Sequence, residues 1–351
     1  MPASGLSIAI VGATGAVGHE FLRILEQRKT PISQLRLFAS ARSAGSKLTF
    51  RGKPVAVEPL SDESLTKGIF KGTDVVLLSA GASISRKAVP AAIRDGAIAI
   101  DNSSAFREDP SIPLVIPEIN GRRAHEHKGI IANPNCTAAV LLMAAAPLHR
   151  AAGIKRMVIS SYQAVSGKGA KAMDECVEQT RALLAIEGLD RTKLQKPAIF
   201  PRSMAFNVLP HIDDFKSDGR TGEEIKIENE SRKILELSNL SIDATCVRVP
   251  VLRCHSISAT IEFEQKLSPD EARAIWKESA GVIVMDDPGQ WIYPTPIEAE
   301  GRDEVFVGRC RASRIFENGL SFWCVGDQLR KGAALNAIQI MEACSINTKV
   351  S

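Results

Sequence analysis

Aromatic side chains and unbalanced charge are both scarce in this sequence. Aromatic residues make up 5% of its 351 positions, and 44 basic against 40 acidic residues leave a net charge of +4. The charges are spread along the chain without a block of one sign. Nucleic-acid-binding proteins concentrate basic residues and often interleave them with aromatic rings. The composition therefore argues against a nucleic-acid partner and is compatible with small anionic ligands.

Long hydrophobic runs are also missing. The longest nearly uninterrupted apolar stretch, Ala138 to Leu148, contains Pro147 and is shorter than the roughly 20 residues that a membrane-spanning helix needs. The N-terminal residues lack the positive flank, apolar core and small-residue cleavage site of a secretory signal. The sequence therefore predicts a cytoplasmic protein without a membrane partner, and it is compatible with an organellar transit segment removed from a precursor.

Cysteine occurs seven times, an odd number, and no two cysteines form a Cys-x-x-Cys pair. A secreted disulfide framework uses an even number of cysteines, and structural zinc sites use closely spaced pairs. The pattern indicates a reduced compartment and predicts no metal site. A cysteine with a special role here is then more often a reactive thiol than a structural one.

The length predicts two domains at roughly 150 residues each. In the first hundred residues, short buried runs alternate with helix-period segments, which is typical of βαβ units and a doubly wound parallel sheet. Strands are predicted at 6–11, 35–39, 75–79 and 98–100, and helices at 20–25 and 84–93. An Ala- and Leu-rich helix is predicted at 138–149.

Beyond this helix, the predicted strands alternate polar and apolar residues, as in an antiparallel or mixed sheet with one solvated face. These strands are 157–165, 244–252, 258–263, 282–285, 305–312 and 320–325. Helices are predicted at 171–186, 223–238 and 269–279, the last with Ser268 as its N-cap. A final helix at 327–344 has an apolar face that we expect to pack on the first domain. The sequence thus predicts an α/β fold with a second, α+β domain.

Three glycines, Gly12, Gly15 and Gly18, lie between the first predicted strand and the first predicted helix. Glycine at such a turn allows a tight bend and lets backbone N–H groups approach a pyrophosphate at the positive end of the helix. The G-x-x-G-x-x-G spacing is a variant of the dinucleotide-binding fingerprint. It predicts a dinucleotide site, and an ordinary glycine-rich turn is the alternative.

The second predicted strand is followed by Ser40-Ala-Arg42-Ser43, without a carboxylate. NAD-preferring proteins usually place an acidic side chain here to bind the ribose 2′-hydroxyl. An arginine with hydroxyl groups instead suits a 2′-phosphate. Arg42 and Ser43 therefore predict NADP as the cofactor, and a solvated surface arginine is the alternative.

Cys136 lies between a predicted strand and the start of a predicted helix. The dipole of a helix N-terminus stabilises a thiolate, so a cysteine there suits nucleophilic chemistry. Such chemistry also needs an acid or base, and His255 stands out because it lies just beyond a predicted strand end. The alternatives are a small buried cysteine and a histidine that only satisfies a hydrogen bond.

Seven sequence blocks, in order and nearly end to end, resemble the motif set of the aspartate-semialdehyde dehydrogenases. The blocks are GATGAVG (12–18), SARSAG (40–45), DNSSAFR (101–107), PNCT (134–137), YQAVSG (162–167), ATCVRVPV (244–251) and GDQLRKGAA (326–334). The resemblance implies a Rossmann-type NADP-binding domain at 1–134, completed by a C-terminal helix at 327–351. It also implies a glyceraldehyde-phosphate-dehydrogenase-like catalytic and dimerisation domain at 135–326.

The activity that the resemblance implies is the reversible, NADP-dependent reductive dephosphorylation of 4-phospho-L-aspartate to L-aspartate 4-semialdehyde. It runs through a cysteine thioester and serves lysine, threonine and methionine biosynthesis. The implied catalytic residues are Cys136 as nucleophile, Asn135 placing the reacting oxygen, His255 shuttling the proton and Gln163 orienting substrate. The implied substrate-binding residues are Arg248 for the carboxylate, Glu223 for the ammonium group, Arg107 and Lys226 for phosphate, and again Gln163. For Glu223, an exposed carboxylate favoured at a helix start is the alternative.

The resemblance also implies cofactor contacts and an assembly. The cofactor-binding residues are Gly12, Thr14, Gly15, Ala16, Val17, Arg42, Ser43, Ser166, Gly167 and Gln328. Relatives assemble as homodimers or homotetramers, through the sheet of the second domain. Two positions depart from the family pattern: Ala138, where many relatives have a hydroxyl or another small residue, and Lys168, where a small residue is commoner. Lys168 adds positive charge near the predicted site.

Two other functions fit part of this pattern. A sister acyl-phosphate reductase, such as N-acetyl-glutamyl-phosphate reductase or a glyceraldehyde-phosphate-type dehydrogenase, shares the cysteine and histidine but needs a different pocket for the tail of its substrate. A non-catalytic NADP-binding relative is the other, although such relatives usually lack the nucleophile. Arg248 and Glu223 favour a free amino acid as substrate.

Overall fold

The computed structural model describes residues 5–345, and the chain divides into two compact units. Within the described residues, the first unit runs to Asn135, takes in Lys233–Leu235 and resumes at Gly332. The second unit comprises Cys136–Arg232 and Glu236–Lys331. The nucleophile predicted from the sequence is thus the first residue of the second unit.

The strands alternate with helices in the first unit and are longer in the second. In chain order they are β1 Leu6–Val11, β2 Ile32–Ala39, β3 Lys47–Phe50, β4 Lys53–Pro59, β5 Val75–Leu78, β6 Ile98–Asp101, β7 Ile130–Ala132, β8 Ile154–Gln163, β9 Ser241–Arg248, β10 His255–Phe263, β11 Val282–Val284, β12 Val305–Ala312 and β13 Gly319–Gly326. The helices are α1 Ala16–Gln27, α2 Asp62–Thr66, α3 Ala82–Arg94, α4 Pro117–Asn120, α5 Cys136–Ala152, α6 Ala170–Leu184, α7 Gly222–Leu235, α8 Pro269–Lys277, α9 Pro296–Ala299 and α10 Leu335–Ser345.

The first unit holds a seven-stranded sheet in the order β3-β4-β2-β1-β5-β6-β7. Its strand pairs are parallel except β3 with β4. From β1 the chain proceeds to β2 on one side and later to β5 on the other, so the carboxyl end of β1 is the switch point where such sheets bind ligands. The predicted doubly wound sheet is confirmed, and the glycine turn follows β1 at this edge.

The helix α10 completes the hydrophobic core of the first unit. Its buried apolar residues pack in one cluster with residues of β1, β2 and α1. The contributors from α10 are Leu335, Ala337, Ile338, Ile340, Met341 and Cys344. The predicted return of the last helix to the first domain is therefore confirmed for the residues described, and positions 346–351 of that prediction lie outside them.

The second unit holds a mixed six-stranded sheet in the order β11-β12-β13-β10-β8-β9. The central strand β10 pairs antiparallel with both β13 and β8, and β8 pairs parallel with β9. Helices α5 and α8 pack against one face of this sheet. There Trp276 is fully buried, donates from Nε1 to the carbonyl of Ala144 at 2.7 Å and meets the ring of Phe322 edge-on.

Several element boundaries differ from the sequence predictions. The hairpin of β3 and β4 was not predicted, although Arg51-Gly52 between two alternating runs is a hairpin signal; both residues have a positive φ, 51° and 73°. The strand predicted before Cys136 corresponds to the short β7. The helix predicted from 138 begins at Cys136, and the last helix begins as a π-helix at Arg330–Ala334.

The strand predicted at 244–252 ends at Arg248, and the next begins at His255. The prediction that His255 lies beyond a strand end is therefore wrong, because this residue opens β10. The predicted N-cap Ser268 is confirmed, with a reciprocal capping box to Glu271.

Between residues 5 and 345, the structure has no helix that is both long and apolar enough to cross a membrane.

Candidate active site

The Cys136 thiol opens helix α5. The first N–H groups of a helix have no partner within it and carry partial positive charge, so this position favours a thiolate. Cys136 is half-buried, whereas the other six cysteines are buried. Cys136 is therefore the cysteine that a substrate or a reagent can reach.

The His255 ring lies beside this thiol. Its Nε2 is 3.3 Å from Sγ of Cys136, and its Nδ1 accepts the backbone N–H of Ala164 at 3.1 Å. A backbone N–H only donates, so Nδ1 is the acceptor and the neutral ring carries its proton on Nε2. That proton points at the sulfur.

Burial and a neighbouring cation keep the His255 ring neutral. The side chain is fully buried, and burial, followed by the charge of Arg248, lowers its pKa well below the usual value; a backbone hydrogen bond involving Cys254 acts in the opposite direction. A neutral imidazole with its proton on Nε2 can donate a hydrogen bond to an oxygen that gains negative charge during a reaction.

The guanidinium of Arg248 bonds to Ala164, the residue whose backbone N–H also bonds to His255. Arg248 ends β9, is 5% exposed and donates from Nη1 to the carbonyl of Ala164 at 2.7 Å. Burial lowers its pKa, while the charges of Glu223, Cys136 and Asp213 act in the opposite direction, and an arginine stays charged near neutral pH. The group has five N–H donors, more than the bond to Ala164 uses.

The residue Gly167 leaves room for both side chains. A Cβ built at this position would lie 2.7 Å from Nη1 of Arg248 and 3.4 Å from Cε1 of His255. The first distance is shorter than real Cβ contacts allow, so one of the two groups has to move. Gly167 was predicted as a cofactor contact, and the structure adds a steric reason for glycine.

We expect Gly167→Ala to lower kcat/KM by about 10²-fold, because a displacement near 1 Å at a reacting group costs about that much. Steady-state kinetics with both substrates measure the change. The matched control is Gly289→Ala, where an added Cβ meets only Oδ1 of Asp287, at 3.4 Å. Unchanged kinetics in Gly167→Ala would contradict the steric argument.

The amide of Gln163 connects two predicted substrate residues. Gln163 ends β8 directly opposite Arg248 in the β8–β9 register. Its Nε2 donates to Oε1 of Glu223 at 3.1 Å and to Oγ of Ser161 at 3.2 Å. Glu223 lies in the first turn of α7, whose N-terminus is fixed by the capping box of Thr221 with Glu224. A carboxylate, an amide and a guanidinium thus lie on adjacent elements.

The ammonium group of Lys226 lies between two carboxylates. It forms a short ion pair with Asp213 and lies 3.6 Å from Oε2 of Glu223. Burial would raise the pKa of Asp213, but the hydrogen bond and charge of Lys226, with smaller effects of Lys168 and Arg248, hold it below its usual value. Asp213 was not predicted, and its place in an irregular segment offers no sequence signal.

The side chains of Ser166 and Gln328 bond to each other, from Nε2 of Gln328 to the serine hydroxyl. Both are buried, and Gln328 also accepts the backbone N–H of Cys254 at 2.7 Å. These predicted cofactor residues therefore also hold the second unit together near His255.

The glycine turn of the first unit fits a dinucleotide phosphate. Gly12 has a φ of +87°, and an added Cβ would lie 2.3 Å from the carbonyl oxygen of Ser79. A Cβ at Gly18 would lie 2.4 Å from the carbonyl oxygen of Gly12. Thr14 lies in this turn, Gly15 is the N-cap of α1, and Ala16 and Val17 open that helix. The N–H of Gly15 donates to the carbonyl of Gly12 at 3.0 Å, whereas the N–H groups of Thr14, Ala16 and Val17 lie at the helix N-terminus, which favours an anion.

Arg42 and Ser43 form a turn of 3₁₀-helix, Ala41–Ser43, directly after β2. Arg42 is exposed. Because β2 is the neighbour of β1, the turn lies at the same edge of the sheet as the glycine turn, where a doubly wound fold places the adenosine ribose.

The Arg107 guanidinium is buried in the first unit. It donates from Nε to the carbonyl of Asn133 at 2.8 Å and from Nη2 to the carbonyl of Asn102 at 2.6 Å. Asn133 in turn accepts the amide of Asn336 at 2.7 Å. These contacts fix the segment that leads through the buried Asn135 toward α5.

Comparison with known proteins gives consistent matches along the chain. Residues 7–127 match the family profile described as semialdehyde dehydrogenase, NAD binding domain, and residues 145–331 match the semialdehyde dehydrogenase dimerisation domain. The aspartate-semialdehyde dehydrogenase of Aquifex aeolicus (strain VF5) is 52% identical over 340 residues, 96% of this chain and 97% of the relative. That of Bacillus subtilis (strain 168) is 44% identical over 347 residues, 97% of each chain. The crystal structure of aspartate semialdehyde dehydrogenase II from Vibrio cholerae, complexed with ASA, has a TM-score of 0.91 at 36% identity and covers 98% of this chain and 99% of its own.

Proposed function

Because the chain belongs to the aspartate-semialdehyde dehydrogenase family and is therefore an oxidoreductase, we propose that it reduces 4-phospho-L-aspartate to L-aspartate 4-semialdehyde with release of phosphate. The reaction is reversible, uses NADP and leads toward lysine, threonine and methionine. The observation that supports it most is the 3.3 Å approach of His255 Nε2 to Cys136 Sγ at the start of α5.

In the proposed mechanism, the Cys136 thiolate attacks the acyl carbon, and the bond from that carbon to the phosphate oxygen breaks to leave a thioester on Sγ. Covalent capture divides one difficult reaction into two easier ones. NADPH, when bound, supplies the hydride that reduces this thioester. The bond from the reduced carbon to Sγ then breaks, which releases the aldehyde and restores the thiolate. The Nε2–H group of His255 stabilises the reacting oxygen, and Nε2 is the atom through which a proton moves. We propose that the Asn135 side chain helps to place that oxygen.

The charges around the site support an amino acid as substrate. We propose that Arg248 binds the α-carboxylate with N–H donors beyond the one used by Ala164, and that Glu223 binds the ammonium group while Gln163 orients both. The proposed phosphate ligands are Arg107 and Lys226. Guanidinium and ammonium donors suit a dianion, and for Lys226 this means competition with Asp213.

We propose that the first unit binds the cofactor and that the second carries the chemistry. The glycine turn supports a pyrophosphate contact because it joins the carboxyl end of β1 to the N-terminus of α1, and Gly12 and Gly18 allow its backbone to pack closely there. The proposed further contacts in the second unit are Ser166, Gly167 and Gln328. Arg42 and Ser43 support NADP over NAD, since they follow β2 without a carboxylate.

We expect Arg42→Ala to raise KM for NADPH by about 10- to 30-fold and to leave KM for NADH nearly unchanged, since hydrogen bonds to charged groups contribute about 1.5–3 kcal/mol. Initial rates with each cofactor measure the preference. Lys53→Ala, an exposed cation on β4, is the matched control. An equal rise for both cofactors would show that Arg42 does not bind the 2′-phosphate.

We propose that the chain forms a homodimer through the sheet face of the second unit opposite α5. This face carries exposed Val158 and Tyr162 on β8, and Tyr162 packs on Trp323 with ring centroids 5.3 Å apart. Sedimentation equilibrium should give twice the chain mass, and Val158→Asp should shift it toward the monomer. Ile84→Asp, exposed on the first unit, is the control. An unchanged dimer mass in Val158→Asp would overturn this interface.

The function is tested by NADPH formation from purified protein, L-aspartate 4-semialdehyde, NADP and inorganic phosphate. One control omits phosphate, and another replaces NADP with NAD. Turnover that requires phosphate and prefers NADP is the expected result. No turnover by folded protein would reject the proposal.

The second candidate, N-acetyl-glutamyl-phosphate reductase, shares the thiol and the imidazole. Its substrate brings no positive charge to the buried carboxylate of Glu223, so Glu223 favours the free amino acid. N-acetyl-L-glutamate 5-semialdehyde in the same assay discriminates, because efficient turnover of this compound would favour the second candidate.

A further inference from the structure

The carboxamide of Gln328 is bonded within the protein at both ends. Gln328 follows β13 and is 2% exposed. Its Oε1 accepts the backbone N–H of Cys254 at 2.7 Å, and its Nε2 donates to Oγ of Ser166. The preceding residue, Asp327, is fully buried and accepts the N–H groups of Gly301 and Leu329. These bonds of Asp327 fix the backbone from which the Gln328 side chain extends.

The residue that Gln328 contacts has an unfavourable backbone conformation. Cys254 has a φ of +74°, a region that residues with a Cβ rarely adopt. Such a conformation persists only where the surrounding structure holds it. The next residue is His255, so the backbone torsions of Cys254 set the direction in which the imidazole leaves β10.

The other contact of Gln328, with Ser166, reaches the turn that bonds to Nδ1 of the imidazole. The segment 249–254 runs beside the turn that contains Ala164 and Ser166, with hydrogen bonds from Val165 N to Val251 O at 2.9 Å and from Ser166 N to Leu252 O at 3.3 Å. Ala164 in this turn donates to Nδ1 of His255. Gln328 therefore joins the backbone that carries His255 to the backbone that fixes the tautomer of its ring.

We propose that Gln328 is a positioning residue for His255, acting through the left-handed conformation of Cys254. This inference rests on the proposed function for its kinetic meaning and goes beyond the cofactor contact expected at this position. Replacing Gln328 should mainly lower kcat, because Gln328 positions the imidazole of His255, which acts on the reacting oxygen. A residue that only contacts the cofactor would instead affect KM for NADP.

The test is Gln328→Met, which keeps the length of the side chain and removes both hydrogen bonds. We expect kcat to fall by about 10²-fold, as for a reacting group displaced by about 1 Å. The KM for NADP should change by less than about threefold, because both polar ends of the Gln328 side chain bond within the protein and its contact with the cofactor does not depend on them. A rise in KM for NADP with unchanged kcat would overturn the proposal.

A second variant separates positioning from general damage. Glycine adopts a positive φ without steric cost, so Cys254→Gly combined with Gln328→Met should recover about tenfold of the lost kcat. No recovery would show that Gln328 does not act through Cys254.

If Gln328→Met yields little folded protein, Gln328→Asn replaces it. This shorter polar side chain reaches only one of the two partners. We therefore expect about a tenfold loss of kcat, with the same unchanged KM for NADP.

A measurement without substrate keeps this result independent of the proposed function. Alkylation of Cys136 by iodoacetamide depends on the thiolate fraction, which a hydrogen bond from Nε2 of His255 favours. We expect Gln328→Met to slow alkylation at pH 7 by about fivefold. An unchanged alkylation rate contradicts the positioning role even if the protein shows no activity with the semialdehyde.

Discussion

Replacement of Cys136 by alanine is expected to lower kcat by at least about 10⁴-fold, because the thioester of the proposed mechanism can no longer form. Stability should change little, since Cys136 is half-buried and sits at the first residue of α5. Phosphate-dependent NADPH formation measures the loss, and the affinity for NADP, measured by fluorescence titration, should remain. Appreciable phosphate-dependent turnover in Cys136→Ala would remove this residue as the nucleophile.

The other cysteines provide the control for this experiment. Burial raises the pKa of each of them, which leaves Cys136 as the thiol that reacts in the native protein; they are Cys176, Cys246, Cys254, Cys310, Cys324 and Cys344. Iodoacetamide should therefore add one group per native chain and none to Cys136→Ala. The matched variant Cys176→Ala, at a residue of α6 that packs in a buried apolar cluster, should retain activity.

Replacement of Arg248 by methionine is expected to lower kcat/KM for L-aspartate 4-semialdehyde by about 10³-fold. Loss of one partner of a buried, hydrogen-bonded charge pair costs about 2–5 kcal/mol. The smaller aldehyde 3-aminopropanal, which lacks the α-carboxylate, checks the reason for the loss. Wild-type protein should prefer the semialdehyde strongly, and Arg248→Met should lose this preference.

Two further variants complete the Arg248 experiment. Arg248→Lys keeps the charge but not the several donors of a guanidinium, so one amine has to serve both Ala164 and the substrate, and we expect an intermediate loss of about 10²-fold. Arg302→Met removes an exposed arginine that pairs with Glu304 and should leave kinetics unchanged. If Arg248→Met discriminates against 3-aminopropanal as strongly as wild-type protein does, Arg248 does not bind the carboxylate.

Much of the first unit could be predicted because its signals are local. A buried strand, a glycine turn and a helix follow one another between Leu6 and Gln27, and the structure shows them in that order. The hairpin of β3 and β4 was missed because its strands are short and mostly exposed, so that their alternating apolar residues form only a brief pattern. The π-helix at Arg330–Ala334 was missed because helical periodicity alone does not distinguish it from an α-helix.

The residue types of the site could also be predicted, but their connections could not. Cys136, His255 and Arg248 lie in recognisable motifs, whereas the donor to Nδ1 of His255 is a backbone N–H. Any residue except proline supplies such a donor, so the alanine at position 164 carries no signal. Asp213 was not predicted for a related reason. Its ion pair with Lys226 depends on how an irregular segment folds back on α7.

The packing of α10 into the first unit also affects the order in which the protein can fold. Domains often fold in the order in which the ribosome makes them. Here the core around Ile8 and Ile10 lacks Ile338 and Met341 until those residues have been synthesised. Every residue of the second unit precedes Gly332, so that unit can finish first. While residues 136–331 are translated, the core of the first unit stays incomplete. During that interval, the apolar surface that α10 later covers is exposed and can bind chaperones.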